Sequence, residues 1–453
     1  MNHVIEPGNA AGWYGGAAAM APASGYGGAT RPSGERPRAR GLILRGGLAA
    51  AVGLLALAAF ALPASASPAS ASYASPSAAP SPQSPPSPSP SASPTSTPNG
   101  TSSLPQPTGS HPVGTTTLYL KDTSRPDPWV PAVKARELMV SLWYPARPAG
   151  GRRAQYMTPQ ESEALLKGEG IGTLPLDVLS RTRTNAVLDA KPAGRKNSLP
   201  LVVLSPGFTK SRKTLTGLAE ELASQGYVVV GIDHTYEARG TSFPGGRLAT
   251  CAACEIDHVP GFWEKAVAGR AADVSFVLDE LTGRHPKWKG ASLIDTSKVG
   301  MSGQSLGGAS SIAAMLKDER IRAGINTDGS TYATIPPGGL ARPFMFVGSS
   351  PHTPGGGSPS WERDWELLTG WKRWLVVAGT QHASFTDLVL LADQLGVPRD
   401  AEVTGARSLE ITRRYVRAFF DQHLRKRPQP LLDGTSTRYP EVKHCSVDAK
   451  TCA

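Results

Sequence analysis

The sequence is poor in the residues that would mark a metal centre, a redox protein or a nucleic-acid binder. Four cysteines occur in 453 residues, as two close pairs, Cys251/Cys254 and Cys445/Cys452. Neither has the nearby second pair that a zinc site wants, and Cys251-Ala-Ala-Cys254 does not open a helix of a thioredoxin-like unit. The pairs therefore read as structural disulfides between near neighbours in an exported protein. The net charge is +11, but five arginines and two glutamates fall in residues 1–66, which leaves +8 for the rest. No Lys/Arg block is interleaved with aromatics, so this charge reads as a dispersed, solvated surface and excludes nucleic acid as a partner.

A long apolar run, Gly46 to Leu62, follows Arg31, Arg36, Arg38, Arg40 and Arg45 and precedes Pro63 and Ala64-Ser65-Ala66. A basic n-region, an apolar core of small residues and an A-x-A site make residues 1–66 a secretory signal peptide with a long n-region. An uncleaved anchor is the alternative, since the run is near the lower bound for spanning a bilayer. Residues 67–112 are Ser, Pro, Ala and Thr, with proline at 13 of 46 positions. Such a stretch has little apolar surface to bury and is expected to be a disordered linker. A single catalytic domain is then expected over 113–430, with a C-terminal tail, 431–453, that carries the second cysteine pair.

Within 113–430 the texture is that of alternating strands and helices. Thr115 to Leu120 and Glu137 to Tyr144 alternate as antiparallel strands at a sheet edge. Leu199 to Leu204, Tyr227 to Ile232, Ala323 to Thr327, Pro343 to Gly348 and Trp374 to Ala378 are short continuous apolar runs, as expected of strands buried on both faces. Helices are expected near Pro159–Lys167, Thr214–Ser224, Gly261–Leu281 and Ile411–Leu424. The pattern predicts an α/β fold with a mostly parallel central sheet flanked by helices.

The chemistry centres on Gly303-Gln304-Ser305-Leu306-Gly307, set between a strand and a helix of small residues. In this G-x-S-x-G spacing the serine occupies a strained turn that projects its hydroxyl, and glycine lets helix and strand approach. Serine is a weak nucleophile until a histidine takes its proton and an acid orients that histidine. Among the acidic residues after Ser305 and before the last of these strands, only Asp328 directly follows a buried strand. Among the nine histidines, only His382 follows a strand where the base belongs. Asp387 is a rival acid on the next helix, and His352 falls in a Gly/Pro loop. The expected triad is Ser305, Asp328 and His382, with the Leu306 and Phe208 N–H groups as oxyanion donors. It requires no metal and no cofactor. Trp361, Trp365, Trp371 and Trp374 are candidates for an apolar rim, although buried packing is the expected fate of Trp371 and Trp374.

Four segments in order resemble the plasma-type (group VII) platelet-activating-factor acetylhydrolases and their bacterial α/β-hydrolase relatives. They are Val203-Leu204-Ser205-Pro206-Gly207-Phe208 with Arg212, Gly303 to Ala309, Arg322 to Asp328, and Gly379 to Asp387. The resemblance implies an α/β-hydrolase fold and a calcium-independent serine esterase acting on short or oxidised acyl chains. The family usually has His-Gly where this chain has Pro206-Gly207, and often histidine where Gln304 stands. The expected substrate is a small-molecule or lipid ester, with transient contact with a lipid surface in the second case. A general lipase, esterase or polyesterase is the alternative, and a non-catalytic wall-associated binding protein is a further one.

Overall fold

The structure, a computed structural model, describes residues 101–148 and 150–453. The expected signal peptide, 1–66, and most of the expected linker lie outside the described residues.

The continuous apolar runs form strands with side chains packed on both faces, which requires helices on both sides of the sheet. In chain order the elements are β1 (Val113–Asp122), β2 (Arg136–Pro145), α1 (Pro159–Gly168), β3 (Val187–Leu188), β4 (Leu199–Ser205), α2 (Thr216–Ser224) and β5 (Val228–Asp233). A small hairpin, β6 (Thr241–Ser242) and β7 (Leu248–Ala249), precedes α3 (Phe262–Thr282), β8 (Ile294–Gln304), α4 (Leu306–Lys317) and β9 (Ile321–Thr327). Then come β10 (Phe344–Gly348), α5 (Pro359–Leu367), β11 (Lys372–Val377), α6 (Asp387–Leu395), α7 (Gly405–Arg425), β12 (Val442–Ser446) and β13 (Thr451–Cys452).

One sheet runs in the order β13-β12-β11-β10-β9-β8-β4-β5-β2-β1-β3. Its centre, from β11 across to β5, is parallel, while β2 joins β5 and β12 joins β11 in antiparallel fashion. Side chains alternate between the two faces. Leu201, Val203, Val230, Met301, Phe344 and Phe346 pack with α3 and α4 on one side. Val202, Leu204, Val229, Ile325, Met345 and Val347 pack with α2 and α7 on the other.

The expected domain limits are too narrow at both ends. Residues 101–112 are not a free linker, because they strap across the domain. Leu104 is buried, and the Thr108 N–H and hydroxyl donate to the Glu221 carboxylate at 2.8 and 2.6 Å. The His111 N–H donates to the Ser224 carbonyl at 3.0 Å. An extended Pro-rich strand needs no core of its own when another element supplies its hydrogen-bond partners. Residues 431–453 are likewise not a simple tail, since β12 extends the sheet beside β11 and β13 folds back on it. Both cysteine pairs are bridged, Cys251 to Cys254 and Cys445 to Cys452.

A chain beginning at Val113 loses the Leu104 contact and leaves Glu221 short of two donors. It is expected to be about 2–4 kcal/mol less stable than one beginning at Thr101, with a nearly unchanged denaturant slope, in urea titrations.

Candidate active site

Ser305 stands between the end of β8 and the start of α4 with φ 56° and ψ −125°. This backbone conformation is strained for a residue with a Cβ, and the surroundings enforce it. The Ser305 N–H donates to the Thr327 carbonyl at 2.7 Å. A Cβ on Gly307 would lie 1.9 Å from the Ser205 carbonyl oxygen, so only glycine lets the helix start this close to β4. Thr327 ends β9, and Asp328 follows with φ 59°.

Asp328 is buried and fully engaged. Its Oδ1 accepts the Ser349 N–H at 2.6 Å and the Ser349 hydroxyl at 2.8 Å. Its Oδ2 lies 2.7 Å from His382 Nδ1. A carboxylate accepts, so Nδ1 carries the proton and Nε2 is left as the base. Burial alone would raise the Asp328 pKa. The His382 hydrogen bond, the nearby His352 and His382 rings and the Ser349 N–H outweigh it and hold the carboxyl below its ordinary value.

His382 opens a short turn after β11, and its side chain is 29% exposed. The Gln304 side-chain amide donates to the His382 carbonyl at 2.9 Å, so the residue before Ser305 braces His382. The Ser305 hydroxyl has no hydrogen-bond partner among the described residues. Nucleophile–base contacts are often long without substrate and tighten in the Michaelis complex.

The two expected oxyanion donors flank Ser305. Leu306 is the first residue of α4, where a helix leaves its N–H groups without intrahelical acceptors. Phe208 follows Gly207, and a Cβ on Gly207 would lie 3.3 Å from the Ser305 Cβ. The Phe208 N–H has no acceptor among the described residues. Its ring packs on Phe262 and Trp263, and Trp263 stacks on Tyr332 at 5.7 Å. The partly buried rings of Phe208, Trp263 and Tyr332 join the loop after β4 to the loop after Asp328.

The expected tryptophan rim is elsewhere. Trp361 and Trp374 are buried behind Asp328, where Trp361 Nε1 donates to the Gly329 carbonyl at 2.6 Å and Trp374 Nε1 to the His352 carbonyl at 2.8 Å. Trp371 packs on Phe419 and His423, and Trp365 on Trp374. Sequence reasoning alone does not find His352. Its Nε2 lies 3.5 Å from Asp328 Oδ1, and its ring stacks on Trp361 at 4.3 Å. Arg212 forms a buried pair with Asp233 and donates to the Ser141 hydroxyl at 2.8 Å. Asp387, the rival acid, accepts the Gly217 N–H at 3.0 Å, while His382 Nδ1 is bonded to Asp328. No group of side chains able to hold a metal ion occurs among the described residues.

Residues 96–243 match the family model described as platelet-activating factor acetylhydrolase, isoform II. A curated relative from Arthroderma benhamiae, named a probable 1-alkyl-2-acetylglycerophosphocholine esterase, is 28% identical over 75% of this chain and 92% of its own. A platelet-activating factor acetylhydrolase from Cavia porcellus is 20% identical over 65% of this chain and 71% of its own. A solved ferulic acid esterase from Streptomyces cinnamoneus is 42% identical, with a TM-score of 0.69, over 77% of this chain and 100% of that one. The chain belongs to the platelet-activating-factor acetylhydrolase-like family of α/β-hydrolases. Like the esterases of this family it is a serine ester hydrolase.

Two outcomes follow for the carboxylates. Replacing Asp328 with Asn removes the acceptor that fixes the His382 tautomer and is expected to lower kcat about 10⁴-fold with little change in KM. For Asp387, burial comes first among the causes that raise its pKa to about 8, with Glu220 adding to it. Its folded-state pKa is raised, so its contribution to stability is complete below the ordinary carboxylate range and is lost as the pH rises through about 8. Thermal melts across that range are expected to show a fall that Asp387→Asn flattens.

Proposed function

We propose that this protein is a secreted, metal-independent serine carboxylester hydrolase that acts on esters of short acyl groups. The observation that carries the reading is the 2.7 Å His382–Asp328 hydrogen bond beside a strained serine elbow. His382 Nε2 takes the proton as Ser305 Oγ bonds to the carbonyl carbon, and the carbonyl electron pair moves onto oxygen. The Phe208 and Leu306 N–H groups meet that oxyanion. As the intermediate collapses, the bond to the alcohol oxygen breaks, and His382 returns its proton to that oxygen. A water, deprotonated by His382, then attacks the acyl-enzyme, and the second collapse releases the acid and reprotonates Ser305.

The names of the Arthroderma benhamiae and Cavia porcellus relatives favour the sn-2 acetyl group of an ether phospholipid as the substrate. A second reading rests on the aromatic wall. Phe208, Trp263 and Tyr332 pack together in one cluster with Leu306, the residue after Ser305, and aryl groups pack well against such rings. The Streptomyces cinnamoneus protein is named a ferulic acid esterase, and an aromatic acyl group is the corresponding substrate class. Export is supported by the leader-like residues 1–66 and by two disulfides, which persist in oxidising compartments.

Hydrolysis of p-nitrophenyl acetate, butyrate and octanoate in EDTA is expected to fall with chain length and to vanish in Ser305→Ala. Turnover equal in the mutant, or abolished by the chelator in the native protein, overturns the mechanism. An sn-2 acetyl phospholipid cleaved no faster than the aryl acetate removes the phospholipid reading. Faster cleavage of methyl ferulate than of either selects the aromatic one.

A further inference from the structure

Behind the oxyanion loop lies a second Ser-His-Asp chain that no solvent reaches. Ser205, His234, Arg270 and Asp273 are all at most 2% exposed, so these side chains cannot meet an ester. The direction of their hydrogen bonds is fixed by chemistry, because arginine only donates and the Asp273 carboxylate at His234 Nδ1 only accepts. Arg270 Nη1 donates to Ser205 Oγ at 3.2 Å. The Ser205 hydroxyl is therefore free to give its own hydrogen to His234 Nε2, 2.9 Å away. His234 Nδ1 then carries the ring proton and donates it to Asp273 Oδ2 at 2.8 Å. Asp273 is held in turn by Arg136 and Arg125 at 2.8 and 2.6 Å.

The same Arg270 nitrogen donates to the Pro206 carbonyl at 2.5 Å, and its Nε donates to Glu237 at 2.7 Å. The Glu237 carbonyl accepts the Thr209 N–H at 2.9 Å. Both sides of Phe208 are thus tied down, Pro206 through its carbonyl and Thr209 through its N–H. Between these anchors the Phe208 N–H is left unpaired beside Ser305. Buried charges of this kind contribute little net stability compared with apolar packing of similar volume. Their effect here is orientation.

We propose that Arg270, oriented by Ser205, His234 and Asp273, is a positioning residue that fixes the Pro206–Gly207 peptide and so aims the Phe208 N–H at the oxyanion. The inference rests on the reading of Ser305 as nucleophile and Phe208 as donor. Loss of a whole oxyanion donor costs about 10²- to 10³-fold in kcat, and a misdirected one costs less.

The test compares Ser205→Ala, Arg270→Lys, Arg270→Gln and Ser305→Ala. It reads kcat and KM on p-nitrophenyl acetate, inactivation by an aryl phosphonate that forms a tetrahedral anionic adduct, and Tm. Ser205→Ala is expected to lower kcat about tenfold and Arg270→Gln about thirtyfold, with KM within about threefold. Phosphonate inactivation should slow by the same factors, and Arg270→Lys should recover part of the loss. If Arg270→Gln does not fold, the small Ser205→Ala change still decides. A normal kcat and phosphonate rate in Ser205→Ala, beside an inactive Ser305→Ala, overturns the positioning role alone. A change confined to Tm or KM overturns it equally. Activity retained in Ser305→Ala overturns the reading of the site and this inference with it.

Discussion

Backbone crowding at the strand ends governs this molecule. The start of α4 approaches β4 so closely that Gly307 has no room for a Cβ against the Ser205 carbonyl. That approach holds Ser305 in its unusual conformation, sets its N–H against Thr327, and brings the end of β9 beside it. The parallel order β4-β8-β9-β10-β11 then delivers each functional loop to the same edge of the sheet. Bulk added at the elbow would displace Ser305, the strand that leads to Asp328 and the Pro206–Phe208 loop together.

Around that point the protein places polar groups where an apolar core would be simpler. Asp328 has an acceptor oxygen for each side. Ser349 and the nearby His352 occupy one, and His382 has the other. The carboxylate is therefore held in one orientation before any substrate arrives, and the His382 tautomer follows from it. The arginines and carboxylates behind Pro206 are arranged on the same principle, since each donor is matched to an acceptor whose position it fixes.

Much of this was legible because the parallel strands are buried on both faces. β4, β5, β9, β10 and β11 each contain a continuous apolar run, so the residues just beyond them, among them Asp328 and His382, could be placed without coordinates. The fold class followed from the same runs. What escaped had no such signal. His352 sits among Gly and Pro in a loop, and its closeness to Asp328 depends on Trp361 and Trp374 packing beneath it. Arg270 and Asp273 read as polar positions on an amphipathic helix, and His234 precedes the serine, where the fold expects no base. The strap 101–112 has a composition suited to disorder, and its partners lie on α2. Strand β12, Val442-Lys443-His444-Cys445-Ser446, has too few apolar residues and no alternation to mark a strand.

That hairpin at the C-terminal side has a bearing on how copies of the protein behave towards one another. A parallel sheet that stopped at β11 or at an open β12 would present unpaired N–H and C=O groups to any other chain. β13 covers part of the β12 edge, with His444 and Ala453 exchanging backbone hydrogen bonds, and the Cys445–Cys452 bridge holds it there. The cross-link thus acts as a guard against intermolecular strand pairing. The two ends of the chain's last hairpin are thereby held together by a covalent bond as well as by backbone hydrogen bonds, and the sheet ends on a strand too short to template another chain.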